Sequence, residues 1–256
     1  ALADRLDTVV GCFGIGLSPT GTADPFGLRR AMLGVLRTLL DHNFDLVIGE
    51  LVHIAYAGYG TGVLDVPLSD LQTKLAEFAA ERLRGLMVDD GAPEIQRGRI
   101  DGRPSVERFP ADVVRACLAA GNTRPIDVRR RAAALAGLDA ATRAQVGEVF
   151  KRANNIASQA PAGEPTPPTG EVHPSEAALF EAYARFAACS SESAKSEDYA
   201  GQLREVATLA PVMHKYFTDI MVMCDDLELR NNRLKLMRSI SERCSQVARL
   251  ELLTEK

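Results

Sequence analysis

Asp225 to Leu250 reads DDLELRNNRLKLMRSISERCSQVARL, and the period of this stretch decides the fold. On a wheel of about 100° per residue, Leu229, Leu236, Met237, Ile240, Cys244 and Val247 gather on one face, and Lys235, Arg238 and Arg249 lie roughly opposite. An apolar stripe with a polar reverse is an amphipathic helix, expected here over 226–253. From Arg230 to Arg249 six basic residues face one acid, Glu242, so the polar reverse is either solvated surface or a ridge suited to phosphates. Arg233 falls inside the apolar stripe. A buried guanidinium needs a partner, and Asp225 or Asp226 at the helix start is expected to form a structural ion pair with it.

Working outward, the same periodicity recurs along most of the 256 residues. Helices are expected over 2–13, 25–42, 46–57, 68–88, 110–120, 126–136, 139–158, 174–189 and 196–222. Asp24 is placed as the N-cap of the second, with Pro25 in the first turn, where its missing N–H costs nothing. The stretch 91–110, rich in Gly, Pro and charge, reads as a linker. Ala160–Pro174, APAGEPTPPTGEVHP, reads as an exposed loop that Pro and Gly keep out of either neighbouring helix. A composition of 46% hydrophobic and 25% charged residues excludes a disordered chain, and 5% aromatics with no Trp disfavours a β-rich one. The fold class is all-α.

Several chemistries are excluded by spacing. The five cysteines form no CxxC pair, which removes a zinc ribbon, a thioredoxin motif and a disulfide framework. Gly11, Gly14, Gly16 and Gly21 are no phosphate loop, because Thr22 and not Lys follows the last of them. Asp4 and Asp7 lie one helical turn apart, but no His-Asp dipeptide offers them converging ligands, so they read as surface carboxylates, with no metal expected. No nucleophile turn accompanies a Ser/His/Asp set, and no catalytic residue is assigned. Asp4, Arg5 and Asp7 interrupt any targeting segment, and the longest apolar stretch, Leu46 to Gly58, is too short to span a bilayer. A reduced, soluble, cytoplasmic protein is expected, and the missing initial Met suggests part of a longer one. Net charge is −5 over 1–90, +5 over 91–152 and −4 over 153–256. The basic middle contains Arg129-Arg130-Arg131 and Lys151-Arg152 on two successive expected helices, a composition suited to phosphates and unstacked RNA bases.

Ala3 to Arg37, with Asp4, Asp7, Gly14, Gly16 and the run Asp24-Pro25-Phe26-Gly27-Leu28-Arg29-Arg30, closely resembles the β subunit of bacterial heterotetrameric glycyl-tRNA synthetase. Thr123–Asp127 (TRPID), Lys151–Ile156 (KRANNI) and Ile220–Met237 (IMVMCDDLELRNNRLKLM) follow in the family's order. The resemblance implies the C-terminal part of an HD-like helical domain over 1–105 and a DALR-type anticodon-binding domain over 106–256. Leu229, Arg230, Arg233, Leu234 and Leu236 stand at the signature positions of that domain. Leu227 stands where Pro is common and Asn231 where Ala is common. By resemblance the segment positions tRNA(Gly) for ATP-dependent glycylation at the α subunit of a heterotetramer, and itself holds no cofactor, since ATP and Mg belong to the α subunit. No membrane or DNA partner is implied. The residues expected to meet tRNA are Arg129, Arg130, Arg131, Lys151, Arg152, Arg230, Lys235 and Arg238. The competing readings are the remnant of an HD-type phosphohydrolase, for which Asp4 is the sole surviving ligand position, and a helical module that binds no RNA.

Overall fold

The computed structural model describes residues 2–89 and 106–254. Most of the expected linker at 91–110 and the expected domain boundary at 105/106 lie outside the described residues. Ten α-helices follow in order: α1 Leu2–Gly14, α2 Leu28–Asp41, α3 Ile48–Ala57, α4 Leu68–Met87, α5 Ala111–Ala120, α6 Pro125–Ala136, α7 Ala140–Ala157, α8 Pro174–Ser196, α9 Tyr199–Asp219 and α10 Leu227–Ser245, then a 3-10 segment, Leu250–Thr254. Among the described residues the only β pairing is two isolated bridges, Thr20 with Ala23 and Val88 with Phe109. No described helix is long and apolar enough to cross a membrane. Backbone proximity divides the chain into two compact units, one of Ala1–Val114 with Gly121–Arg130, the other of Arg115–Ala120 with Arg131–Lys256.

The first unit packs α1 to α4. Leu71, Leu75, Ala79 and Leu83 repeat at four-residue spacing along α4, and all are buried. They meet a core that includes Val9 and Val10 of α1 and Met32, Val35 and Leu36 of α2. Phe13 tilts against Phe78 with ring centroids 4.9 Å apart, and the Arg82 guanidinium lies 3.7 Å from the Phe78 centroid. The N-cap of α2 departs from expectation. Asp24-Pro25-Phe26-Gly27 closes a turn, with Gly27 N–H donating to Asp24 O at 3.1 Å and Gly27 at φ 65°. The Asp24 carboxylate reaches across that turn to accept from Leu28 N–H at 2.8 Å and Arg29 N–H at 3.1 Å. It therefore caps the helix from outside it, and Pro25 belongs to the turn. Residues 121–130 join this unit through Asp45, which accepts from Arg124 Nε at 2.9 Å, Arg124 Nη2 at 2.5 Å and Arg130 Nη1 at 3.3 Å.

In the second unit α7, α8, α9 and α10 pack together, and the 3-10 segment packs on α7. Helix α8 continues to Ser196, beyond the expected stop at 189, and ends at Glu197 in the left-handed region at φ 54°. The Ser-rich run that argues for an end is held in place by packing: buried Ser190 accepts from Gln202 Nε2 of α9 at 3.1 Å. Helix α9 stops at Asp219, three residues before the expected 222, and α10 stops at Ser245 instead of running to 253. The chain turns after Ser245 so that Leu250 and Leu253 are buried beside α7, and Arg115 Nη2 secures Leu252 O at 2.8 Å. The approach leaves no room on α7 at Gly147, where a Cβ would lie 2.8 Å from Thr254 Cγ2 and 3.0 Å from Leu253 Cβ.

Gly147→Leu forces the 3-10 segment off α7 and is expected to destabilise the second unit by about 1–3 kcal/mol, the usual cost of overpacking, read as a lower thermal midpoint. Hydrogen bonds and charge from Arg124 hold the Asp45 carboxyl below the usual carboxylate range. Its stabilising contribution is complete above the unfolded-state pKa and disappears as pH falls through the folded-state value. Acid unfolding followed by circular dichroism should show a shallower acid limb in Asp45→Asn than in the parent. Identical limbs would remove this account of Asp45.

Candidate nucleic-acid interface

The geometry of this region begins at the start of α10, where Asp226 Oδ1 accepts from Glu228 N–H and Leu229 N–H, each at 3.0 Å. That cap fixes the helical phase and turns Arg233 inward, where it is 7% exposed. Its partner is neither Asp225 nor Asp226. Arg233 Nε donates to Glu176 Oε1 at 2.8 Å and Nη2 to Glu176 Oε2 at 2.7 Å, a two-pronged pair with a carboxylate only 3% exposed. The correction has a simple cause. Asp226 is already committed to capping, whereas Glu176, in the first turn of α8, meets α10 through the packing of the two helices. The Glu176 bonds hold the Arg233 guanidinium above its ordinary pKa. Tyr216 lies nearby with its hydroxyl buried and, among the described residues, without a hydrogen-bond partner; burial and the Glu176 charge push its phenol far above the usual range, so it stays neutral.

The third donor of Arg233, Nη1, holds Met221 O at 3.1 Å. This anchors the connection between α9 and α10, whose residues alternate in and out. Ile220 and Val222 are 9% and 5% exposed, whereas Met221 and Met223 are 75% and 45% exposed. Arg230 Nη1 reaches Cys224 O of the same connection at 3.5 Å. At the end of α9, Arg152 of α7 places its guanidinium 4.6 Å from the Phe217 ring centroid. Lys151 beside it is exposed and makes no ion pair or hydrogen bond among the described residues.

The expected cationic ridge on the far face of α10 is not open surface. The Pro-rich loop lies along it as a strap. Asn232 grips Thr166 in both directions, accepting from its N–H at 2.8 Å and donating to its O at 2.7 Å. Arg238 Nη2 donates to Gly163 O at 2.8 Å, with Nε 3.5 Å from Glu242, and Ser239 Oγ donates to Glu164 at 3.3 Å. Lys235 lies beside Gly163. The helical wheel shows which face of α10 avoids the core, but not that another segment covers it.

The Arg129-Arg130-Arg131 cluster is distributed as well. Arg129 donates to Leu40 O at 3.1 Å and Asn43 Oδ1 at 2.8 Å, and Arg130 pairs with Asp45. Arg131 is buried at 3% exposure, its Nη1 donating to Cys117 O at 2.7 Å and Val247 O at 3.0 Å, so it is a structural residue and not an RNA contact. Its position was legible, since Arg131 shares the stripe of Val128, Ala132 and Leu135, all buried. The structure thus places Arg230 against the α9–α10 connection and Arg152 against Phe217 in the last turn of α9, with Lys151 next to Arg152 in sequence, and leaves the remaining expected contacts elsewhere. The exposure of Met221 and Met223 is not legible in the sequence, since Ile220-Met221-Val222-Met223 is an unbroken apolar run whose two faces only the structure separates. Among the described residues no group of three or more His, Cys, Asp or Glu is placed to hold a metal ion.

The last helices of this all-α chain thus present Arg152, Arg230 and two exposed methionines, Met221 and Met223. Residues 146–250 match the DALR anticodon binding domain model, and residues 1–96 match the model for the glycyl-tRNA synthetase beta subunit. Proteins named glycine–tRNA ligase beta subunit are similar throughout: that of Solidesulfovibrio magneticus is 34% identical over 97% of this chain, and that of Anaeromyxobacter dehalogenans 37% identical over 97%. The relative from Aromatoleum aromaticum is 36% identical over 99%. In these matches the chain spans about a third of the relative's length, 34%, 33% and 34% respectively. The chain belongs to the glycyl-tRNA synthetase beta subunit family.

Arg233→Ala leaves a buried Glu176 carboxylate without its partner and should cost about 3–5 kcal/mol, measured by urea denaturation. The paired change Arg233→Met with Glu176→Leu removes both charges and should recover most of that loss. A single variant as stable as the parent would contradict the assignment.

Proposed function

We propose that this chain is the tRNA-holding part of a glycine–tRNA ligase β subunit, positioning tRNA(Gly) for ATP-dependent glycylation carried out at the α subunit of a heterotetramer in the cytoplasm. It acts by positioning and supplies no reacting group. ATP and Mg are assigned to the α subunit, with no cofactor held here. The observation that carries the reading is the match to an anticodon binding domain over 146–250, the segment that contains most of α7 and all of α8 to α10 and in which Lys151 and Arg152 are exposed. Family membership favours this reading over an HD-type phosphohydrolase or a helical module that binds no RNA. Anticodon loops offer unpaired bases and a phosphate backbone, which proteins hold with cations and with surfaces against which a base can stack.

Lys151 and Arg152 are the side chains to test first. Lys151→Glu with Arg152→Glu should weaken binding to tRNA(Gly) and reduce the slope of log affinity against log salt by about two units, one for each phosphate no longer neutralised. Helicity should be unchanged, because exposed charges contribute only about 0–1 kcal/mol to folding. Failure of the parent chain to bind tRNA(Gly) at low salt would overturn the proposed function.

A further inference from the structure

The Pro-rich strap lies over cations and adds no residue to the core. None of residues 161–172 is buried. Its grip on α10 is polar: two bonds between Asn232 and Thr166, one from Arg238 to Gly163 O and one from Ser239 to Glu164. A surface segment with so little burial opens locally at low cost.

The same contacts leave the cations of α10 poorly used. Arg233 holds both oxygens of Glu176 with one edge of its guanidinium, Nε together with Nη2. On Arg238 that edge serves a single neutral carbonyl, Gly163 O, through Nη2 at 2.8 Å. Its Nε is sealed from water, makes no hydrogen bond among the described residues and lies 3.5 Å from the exposed Glu242 carboxylate. A buried N–H left without an acceptor is costly. Lys235, one turn earlier on the same helix, is half-buried beside Gly163 and has no ion pair or hydrogen bond among the described residues. Glu164, the strap's own acid, meets Ser239 and pairs with neither cation. An acceptor with several charged oxygens would serve Nε and Nη2 together and attract Lys235. A phosphate is such an acceptor, and its bonds are charge-assisted on both sides, which those of a carbonyl are not.

Resting on the proposed tRNA-holding function, we propose that the strap is an autoinhibitory cover: in the free chain Gly163 O occupies a phosphate position on Arg238, and a backbone phosphate of bound RNA displaces it and engages Arg238 and Lys235. Asn232 is the latch, since it holds Thr166 in both directions and carries no charge for the RNA to meet. The apparent affinity for RNA is then reduced by the fraction of chains whose strap is closed.

The test follows the Thr166 amide by hydrogen exchange, in this chain alone and with tRNA(Gly). Residues 164–168 read Glu-Pro-Thr-Pro-Pro, and because proline has no N–H, the exchanging amides there are those of Glu164 and Thr166. Thr166 N–H, bonded to Asn232 at 2.8 Å, should be protected in the free chain and should lose that protection when tRNA(Gly) binds. Asn232→Ala frees the strap without touching a cation. It should bind tRNA(Gly) about fivefold more tightly, the equivalent of one net hydrogen bond, with the salt slope of the parent. Lys235→Gln with Arg238→Gln should reduce that slope by about two units. A parent that binds tRNA(Gly) with Thr166 still protected overturns the cover and leaves the tRNA-holding function standing. So does an unchanged slope in the double variant, or an Asn232→Ala chain of parental helicity that binds no more tightly. If Asn232→Ala loses helicity, exchange in the parent decides. Release of Thr166 by poly-glutamate as readily as by tRNA(Gly) overturns the assignment to a phosphate. A parent that binds no tRNA(Gly) at low salt overturns the tRNA-holding function, and the cover with it.

Discussion

One buried ion pair organises the second unit. Arg233 on α10 and Glu176 on α8 are each nearly sealed from water, and their two parallel hydrogen bonds meet the desolvation that such burial imposes. The third Arg233 donor passes the constraint to the α9–α10 connection. The two helices and the segment between α9 and α10 are therefore set by a single guanidinium. Lysine could not replace it, because a point charge lacks the planar fork that serves two carboxylate oxygens and a carbonyl at once.

The fate of the other arginines follows the same logic. A guanidinium offers five donors, and carbonyls left over at helix ends are ready acceptors. Arg115, Arg129, Arg131 and Arg238 all donate to main-chain carbonyls outside their own helices. These bonds tie the chain's segments together and occupy donors that composition alone would offer to a polyanion. Lys151 and Arg152 remain turned outward, Arg152 with its guanidinium near the Phe217 ring.

Helix periodicity made the all-α class and the placement of nearly every helix readable from the sequence, because an apolar stripe repeats whatever the distant partner. Boundaries failed where tertiary contacts override local preference. Asp24 caps α2 from across a turn, Ser190 stays helical because Gln202 reaches it, and the end of α10 is set by the 3-10 segment that packs on α7. The burial of Arg233 was legible from its place in the stripe. Its partner was not, since Glu176 is 57 residues away and looks like an ordinary acid in a first helical turn. Lys235 and Arg238 look like open surface in the sequence because periodicity describes one helix at a time and is silent about a strap laid over it.

That strap bears on the order in which the chain can assemble. The α7–α8 connection is gripped by Asn232, 66 residues further along, and α7 is completed by residues 250–254. During synthesis from the N-terminus, α7 and the segment after it emerge long before the groups that hold them, and such distant closures cost loop entropy before they return any contact. The prolines at 161, 165, 167 and 168 reduce that cost by stiffening the waiting segment, so fewer conformations are surrendered when Asn232 arrives. What reads in one dimension as an unstructured tether is, for the nascent chain, a spacer prepared in advance for a helix that has yet to be made.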